Sequence, residues 1–410
     1  MGAGAGMSSA GVSSARKEGV SPWVASLSSG WVPLALGSCA ALTVAWKTLG
    51  KAVVALVGLR AAAFASTVAL TSAFLLGGAL LREAGRLDEG MPRKRPPAGS
   101  RWADLERVVR EDATPLLVSR EEPSVSLSVV VPAYNEEERL VPMLNECVAY
   151  LEDRRRASLG ASPARDGKAA GARGVAQSKE GKELSYEILI VDDGSKDGTV
   201  ETALRYERRG SMSGELRVLR LPRNGGKGMA VQAGMLCARG EKLLMCDADG
   251  ATDFSCLGRL ERDLDKAVAG CAQGAVVYGS RAHLQHQAAV KRTKLRNALM
   301  HGFHLLVGSV VGFKIRDTQC GFKLFSRRAA RAIFPNQRLR RWCFDVEVLA
   351  LARALDVATV ETPVAWVEIA GSKIRPTSIL HMAFELGLIK LGYSTGVWRV
   401  HQEKDAKGDR

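Results

Sequence analysis

Short apolar runs that alternate with helix-period segments constrain this chain more than any other feature. Residues 127–131, 186–191, 216–221, 242–246 and 275–278 read as strands, and residues 136–151, 199–209 and 229–238 as helices between them. Such alternation implies an α/β fold with a mostly parallel sheet, whose ligand loops gather at the carboxyl ends of the strands. Three of those ends are acidic: Pro132-Ala133-Tyr134-Asn135-Glu136, Asp192-Asp193-Gly194-Ser195 and Asp247-Ala248-Asp249. Carboxylates two apart at a strand end can both turn toward one divalent cation. Hard cations such as Mg2+ or Mn2+ take oxygen ligands shared with substrate phosphates. The pattern describes a site for a metal-bound sugar nucleotide, in which the metal carries the leaving diphosphate.

The net charge of +15 would suit nucleic acid, but the basic residues are spread over tails and linkers with few aromatics among them. A membrane surface and phosphorylated substrates fit that distribution better. Cysteines are not spaced as Cys-x-x-Cys and mostly fall in apolar runs, so neither a zinc knuckle nor a disulfide framework is indicated. Residues 61–81 form an uncharged apolar stretch of the length a helix needs to cross a bilayer, and residues 31–46 a shorter one. Arg82, Arg86, Arg93, Lys94 and Arg95 follow, which places everything after them in the cytosol. The expected organisation is an anchor of one or two hydrophobic segments over 1–83 and a linker over 84–124. A catalytic domain then spans 125–375, with a flexible insertion at 153–185, and an amphipathic segment and polar tail span 376–410. Residues 376–400 either lie against the bilayer or pack on the catalytic domain.

Individual motifs leave alternatives open. Tyr134 and Glu136 could stack on and accept from a base or ribose, or could belong to an ordinary strand-to-helix turn. Asp192 to Thr199 begins like a calcium loop, but Leu204 stands where the bidentate glutamate belongs. There Asp192 and Asp193 either meet a ribose or base edge or cap the next helix. Gly225-Gly226-Lys227-Gly228 lacks the spacing and hydroxyl of a Walker motif, which leaves phosphate contact through Lys227 or a plain tight turn. Arg281 closes a strand, and Arg292 and Arg296 share one helical face, suiting an acceptor phosphate or a solvated basic surface. Asp317 is the candidate base, with Asp345 and Glu347 competing. Each could equally be a cap or an internal ion pair.

Together with Arg316-Asp317-Thr318-Gln319-Cys320-Gly321-Phe322-Lys323 and Glu368-Ile369-Ala370-Gly371-Ser372-Lys373, these segments resemble the family 2 glycosyltransferases of GT-A fold over roughly residues 127–398. The resemblance implies transfer of glucose from UDP-glucose to dolichyl phosphate, with inversion, on the cytosolic face of the endoplasmic reticulum membrane. The product would serve lipid-linked oligosaccharide assembly in N-glycosylation. It further implies uridine contacts at Pro132, Tyr134, Glu136 and Asp193, and diphosphate and metal contacts at Asp247 and Asp249. It places the lipid phosphate at Arg281, Arg292 and Arg296, and a loop closing over the diphosphate at Ser372 and Lys373. Ala251 stands where mannose-transferring relatives carry a further metal ligand, so the remaining ligands stay open. The rival readings are mannose transfer from GDP-mannose, a processive polysaccharide synthase suggested by Arg338-Leu339-Arg340-Arg341-Trp342, and a non-catalytic nucleotide-binding adaptor.

Overall fold

The computed structural model describes residues 76–87, 122–160, 183–210, 212–284, 307–312, 314–369 and 376–401. The chain divides into two units, residues 1–73 and 74–410, and all the described residues lie in the second. Its centre is a seven-stranded sheet in the order β3-β2-β1-β4-β6-β5-β7. The strands are β1 (Val125–Ala133), β2 (Tyr186–Asp192), β3 (Glu215–Arg220), β4 (Gly240–Cys246), β5 (Ala275–Ser280), β6 (Phe322–Ser326) and β7 (Ala358–Pro363). All neighbours are parallel except at β6, which runs antiparallel to both β4 and β5.

Helices cover both faces: α1 (Glu137–Ser158), α2 (Thr199–Glu207), α3 (Lys227–Cys237), α4 (Leu257–Ala269), α5 (Arg327–Ile333), α6 (Phe344–Ala354) and α7 (Pro376–Ser394). Alternate residues of β1 explain why its run is apolar throughout. Val129 and Val131 join the core under α1, α2 and α4, while Val130 joins the opposite core under α3, α5, α6 and α7. Gly234 lets α3 approach the sheet, since a side chain there would run into Val130 and Val191.

Several boundaries differ from the sequence-based expectation. Helix α1 continues to Ser158, five residues past the expected start of the insertion at 153, with Arg155 paired to both Glu152 and Glu183. Residues 161–182 lie outside the described residues. Residues 76–87 are helical, so helix extends past the expected linker start at 84. Ala84 is buried, and its carbonyl accepts from Trp398 Nε1 at 2.7 Å. The amphipathic segment packs on the domain, with Met382, Leu386, Leu388 and Ile389 in the same core as α6. Among the described residues no helix is long and apolar enough to cross a membrane, and most of the expected span at 61–81 lies outside them.

Candidate active site

The parallel strands β1, β2 and β4 deliver their acidic ends to one edge of the sheet, and β6 starts from that edge because it runs the other way. The loops after β1 and β2 are laced together. Asn135, at φ 53°, donates its backbone N–H to Ser195 Oγ and accepts from Lys196 N, and Glu136 N donates to Thr199 Oγ1. Pro132 is buried and Tyr134 half-buried beside them, and Glu136 forms an ion pair with Arg139 at 2.5 Å. The calcium-loop resemblance has a structural explanation: Asp192 accepts from Ser195 N, and Asp197 from Glu137 N, Thr199 N and Thr199 Oγ1. Those oxygens organise backbone. Asp192 itself is fully buried, so it shapes the loop and offers no surface to a donor.

Asp193 holds the glycine loop. Its carboxylate accepts from Gly225 N at 2.6 Å and Gly226 N at 2.9 Å. Those two N–H groups are therefore engaged, and of this motif it is the Lys227 side chain that reaches the acidic cluster. Burial pushes the Asp193 carboxyl up to about 6 against the pull of the two N–H groups and of Arg341. Gly226 takes φ 98° with the Arg340 carbonyl behind it, and Gly228 abuts the Leu339 carbonyl. A substituent at either position would push the loop away from Asp193.

Lys227 opens α3, and its Nζ lies 2.6 Å from Asp247 Oδ1. That oxygen is buried, and the ammonium is the group that compensates it. Asp247 and Asp249 are partly exposed while Ala248 between them is buried, as alternation at a strand end requires. The Ala248 methyl belongs to the core, which leaves only its backbone for a donor. Asp249 Oδ1 accepts from Ala251 N at 3.0 Å. Asp247 N donates to the Gly321 carbonyl at 3.1 Å, and a Cβ at 321 would collide with the Asp247 carboxylate.

Asp317 is buried and clamped by Arg281, whose Nε and Nη2 donate at 2.7 and 2.9 Å and whose backbone N donates at 2.9 Å. Burial alone would raise the Asp317 carboxyl, but the guanidinium fork outweighs it and holds the group below the usual carboxylate range. A carboxylate so stabilised is a weak proton acceptor, and its geometry favours holding Arg281 over abstracting a proton. It orients Arg281, whose guanidinium also lies 5.3 Å from the Trp366 ring. Glu361 fixes this loop by accepting from Arg316 N and Asp317 N. The competing candidates are internal too. Asp345 accepts from Lys323 Nζ at 2.7 Å, and Glu347 accepts from the backbone N of Arg338 and Leu339. Arg338, first residue of the synthase-like signature, is fully buried, with its guanidinium 5.7 Å from the Tyr393 ring and 5.4 Å from the Trp398 ring. Arg292, Arg296, Ser372 and Lys373 lie outside the described residues.

Sequence reasoning missed Lys323, Glu361 and Trp366. A lysine in the middle of an apolar strand such as β6 signals a buried charge in need of a partner, and that signal was present for Lys323.

Residues 169–334 match the profile described as Glycosyl transferase family 2. The sheet order, with β6 antiparallel and acidic loops at the ends of β1, β2 and β4, makes this a glycosyltransferase of GT-A-like fold. The dolichyl-phosphate beta-glucosyltransferase of Drosophila melanogaster is 44% identical over 279 residues, covering 68% of this chain and 78% of that one. Its Homo sapiens counterpart is 42% identical over 283 residues, 69% and 80% of the two chains. The Saccharomyces cerevisiae enzyme is 36% identical over 290 residues, 68% and 78%. The chain belongs to this dolichyl-phosphate β-glucosyltransferase family.

Proposed function

We propose that the chain transfers glucose from UDP-glucose to dolichyl phosphate with inversion at the anomeric carbon, giving dolichyl β-D-glucosyl phosphate. The observation that carries the reading is the Asp247–Asp249 pair, two carboxylates on one side of a strand end beside Lys227, in a chain of this family. Tyr134, Glu136 and the Asp193 loop form the uridine end of the site. The diphosphate lies over Asp247, Asp249 and Lys227, closed by the segment with Ser372 and Lys373. Arg281, with Arg292 and Arg296, receives the lipid phosphate.

The residues fit a divalent cation of the Mg2+ or Mn2+ type. Asp247 Oδ1 is a buried oxygen held, among the described residues, by the Lys227 ammonium alone, and Asp249 has one oxygen engaged by backbone. Among the described residues no three side chains gather as metal ligands, and Asp247 and Asp249 are the two that would hold the ion against a diphosphate. The bound ion would supply positive charge to the departing UDP. The acceptor phosphate is already ionised near neutral pH, so the protein needs to hold it more than to deprotonate it. Asp317 serves that end by fixing the plane of Arg281.

Residues 1–83 anchor the protein in the endoplasmic reticulum membrane with the catalytic domain in the cytosol, and the glucolipid serves as a donor in lipid-linked oligosaccharide assembly for N-glycosylation. Membranes carrying the protein, given dolichyl phosphate and either labelled UDP-glucose or labelled GDP-mannose, should form glucolipid only, and chelator should stop it. Asp249→Asn should lower transfer at least roughly a hundredfold while keeping the thermal midpoint within a few degrees. Mannolipid as the main product, or full activity of Asp249→Asn, refutes the assignment.

A further inference from the structure

We propose that Lys227 is an exchangeable counter-ion: its ammonium holds the Asp247 oxygen that a divalent cation would take, and it withdraws toward Asp345 when that cation binds. The proposal rests on the metal–diphosphate reading above. Two ion pairs lie close together here, for Gly228, next to Lys227, abuts Phe344, next to Asp345. Asp247 Oδ1 lies 2.6 Å from Lys227 Nζ, and Asp345 Oδ1 lies 2.7 Å from Lys323 Nζ. Asp345 and Asp249 both act on the Lys227 ammonium besides Asp247.

The Lys323–Asp345 pair is fixed while the Lys227 side chain is free to shift. Lys323 is buried, donates also to the Cys320 carbonyl at 2.5 Å, and lies 5.6 Å from the Tyr278 ring. Asp345 sits in the first turn of α6, and among the described residues no donor reaches its Oδ2. Lys227 has its backbone set by α3, but its four-carbon stem rotates. A divalent ion at Asp247 would place two cations on one carboxylate, and their repulsion at a few ångströms moves the one on the flexible stem. The unfilled Asp345 oxygen gives that ammonium a seat without exposing an unpaired buried charge. In the absence of metal the same lysine keeps Asp247 from standing as an uncompensated anion near Asp345.

Mn2+ binding to the full chain in detergent, read by the electron paramagnetic resonance of free Mn2+ without nucleotide, tests the exchange. Removing the competing charge with Lys227→Met should tighten Mn2+ roughly tenfold, and removing the seat with Asp345→Asn should weaken it roughly threefold. Thermal midpoints follow in parallel, with Lys227→Met losing stability without Mn2+ and regaining it with the ion. Mn2+ affinity equal to or weaker than wild type in Lys227→Met overturns the exchange. Should that variant not fold, Asp345→Asn decides alone, and an unchanged affinity there overturns it. Wild-type protein that binds no Mn2+ overturns the metal reading and the exchange with it, whereas wild-type binding with an unaltered Lys227→Met overturns the exchange only.

Discussion

Asp193 carries a charge that burial opposes and two backbone N–H groups support. Its carboxyl, pushed up to about 6 from an ordinary value of 3.8, takes a proton more readily in the folded protein than in the unfolded one. The stability it contributes is therefore complete below the ordinary value and lost as pH rises through about 6, on the order of 3 kcal/mol in all. The difference in thermal midpoint between wild type and Asp193→Asn should fall as pH rises from about 4.5 to about 7 and then level off. A difference that grows with pH would contradict the assignment. Gly321 poses a steric problem of the same size. Its missing Cβ is the space filled by the Asp247 carboxylate. Gly321→Ala should displace that carboxylate and lower transfer by roughly ten- to a hundredfold, with a smaller change in thermal midpoint than in activity. Equal activity of the two proteins would show that Asp247 tolerates the shift.

At the scale of elements, two packing arrangements bring the site together. Helix α3 lies close enough on β1 and β2 for its first residue, Lys227, to reach the end of β4, and Gly234 sets that distance against Val130 and Val191. Gly234→Val should overpack this contact by about 1–3 kcal/mol and shift α3 outward. Denaturant midpoints measure the first effect, and a loss of UDP binding larger than the loss of stability measures the second. Strand β6 is the other arrangement. By entering between β4 and β5 in the opposite direction it sets Lys323 beside Met245 and Tyr278, and so under the aspartates. A parallel strand in that place would put its amino end, and a different set of side chains, at the far edge of the sheet.

Across the second unit, segments far apart in sequence meet. Trp398 donates to the carbonyl of Ala84 and closes over Arg338, whose Nη2 donates to the Arg399 carbonyl. Glu347 ties Arg338 and Leu339 to α6, and Gln337 ties the same segment to Gly228 in α3. The helical stretch 76–87 is thus bound through Trp398 to the segment that backs the Lys227 loop. Trp398→Ala removes a buried ring and leaves Arg338 exposed on one face, which should cost about 3–5 kcal/mol and lower the thermal midpoint by roughly 10 °C. A midpoint unchanged by that substitution would mean the two segments are joined some other way.

Local patterns in the chain determined the α/β alternation, the acidic strand ends and the failure of the calcium and Walker readings, because strand period, proline and glycine punctuation and motif spacing act within a few residues. What the tertiary structure decided are pairings across distance. Arg281 meets Asp317 and Lys323 meets Asp345 because β6 inserts antiparallel, a choice of strand order that no run of residues announces. Residues 376–400 show the same limit from the side of packing. Their apolar face is written in the sequence, but an apolar face states only that something must cover it, and the fold supplied α6 and the 76–87 helix as the cover.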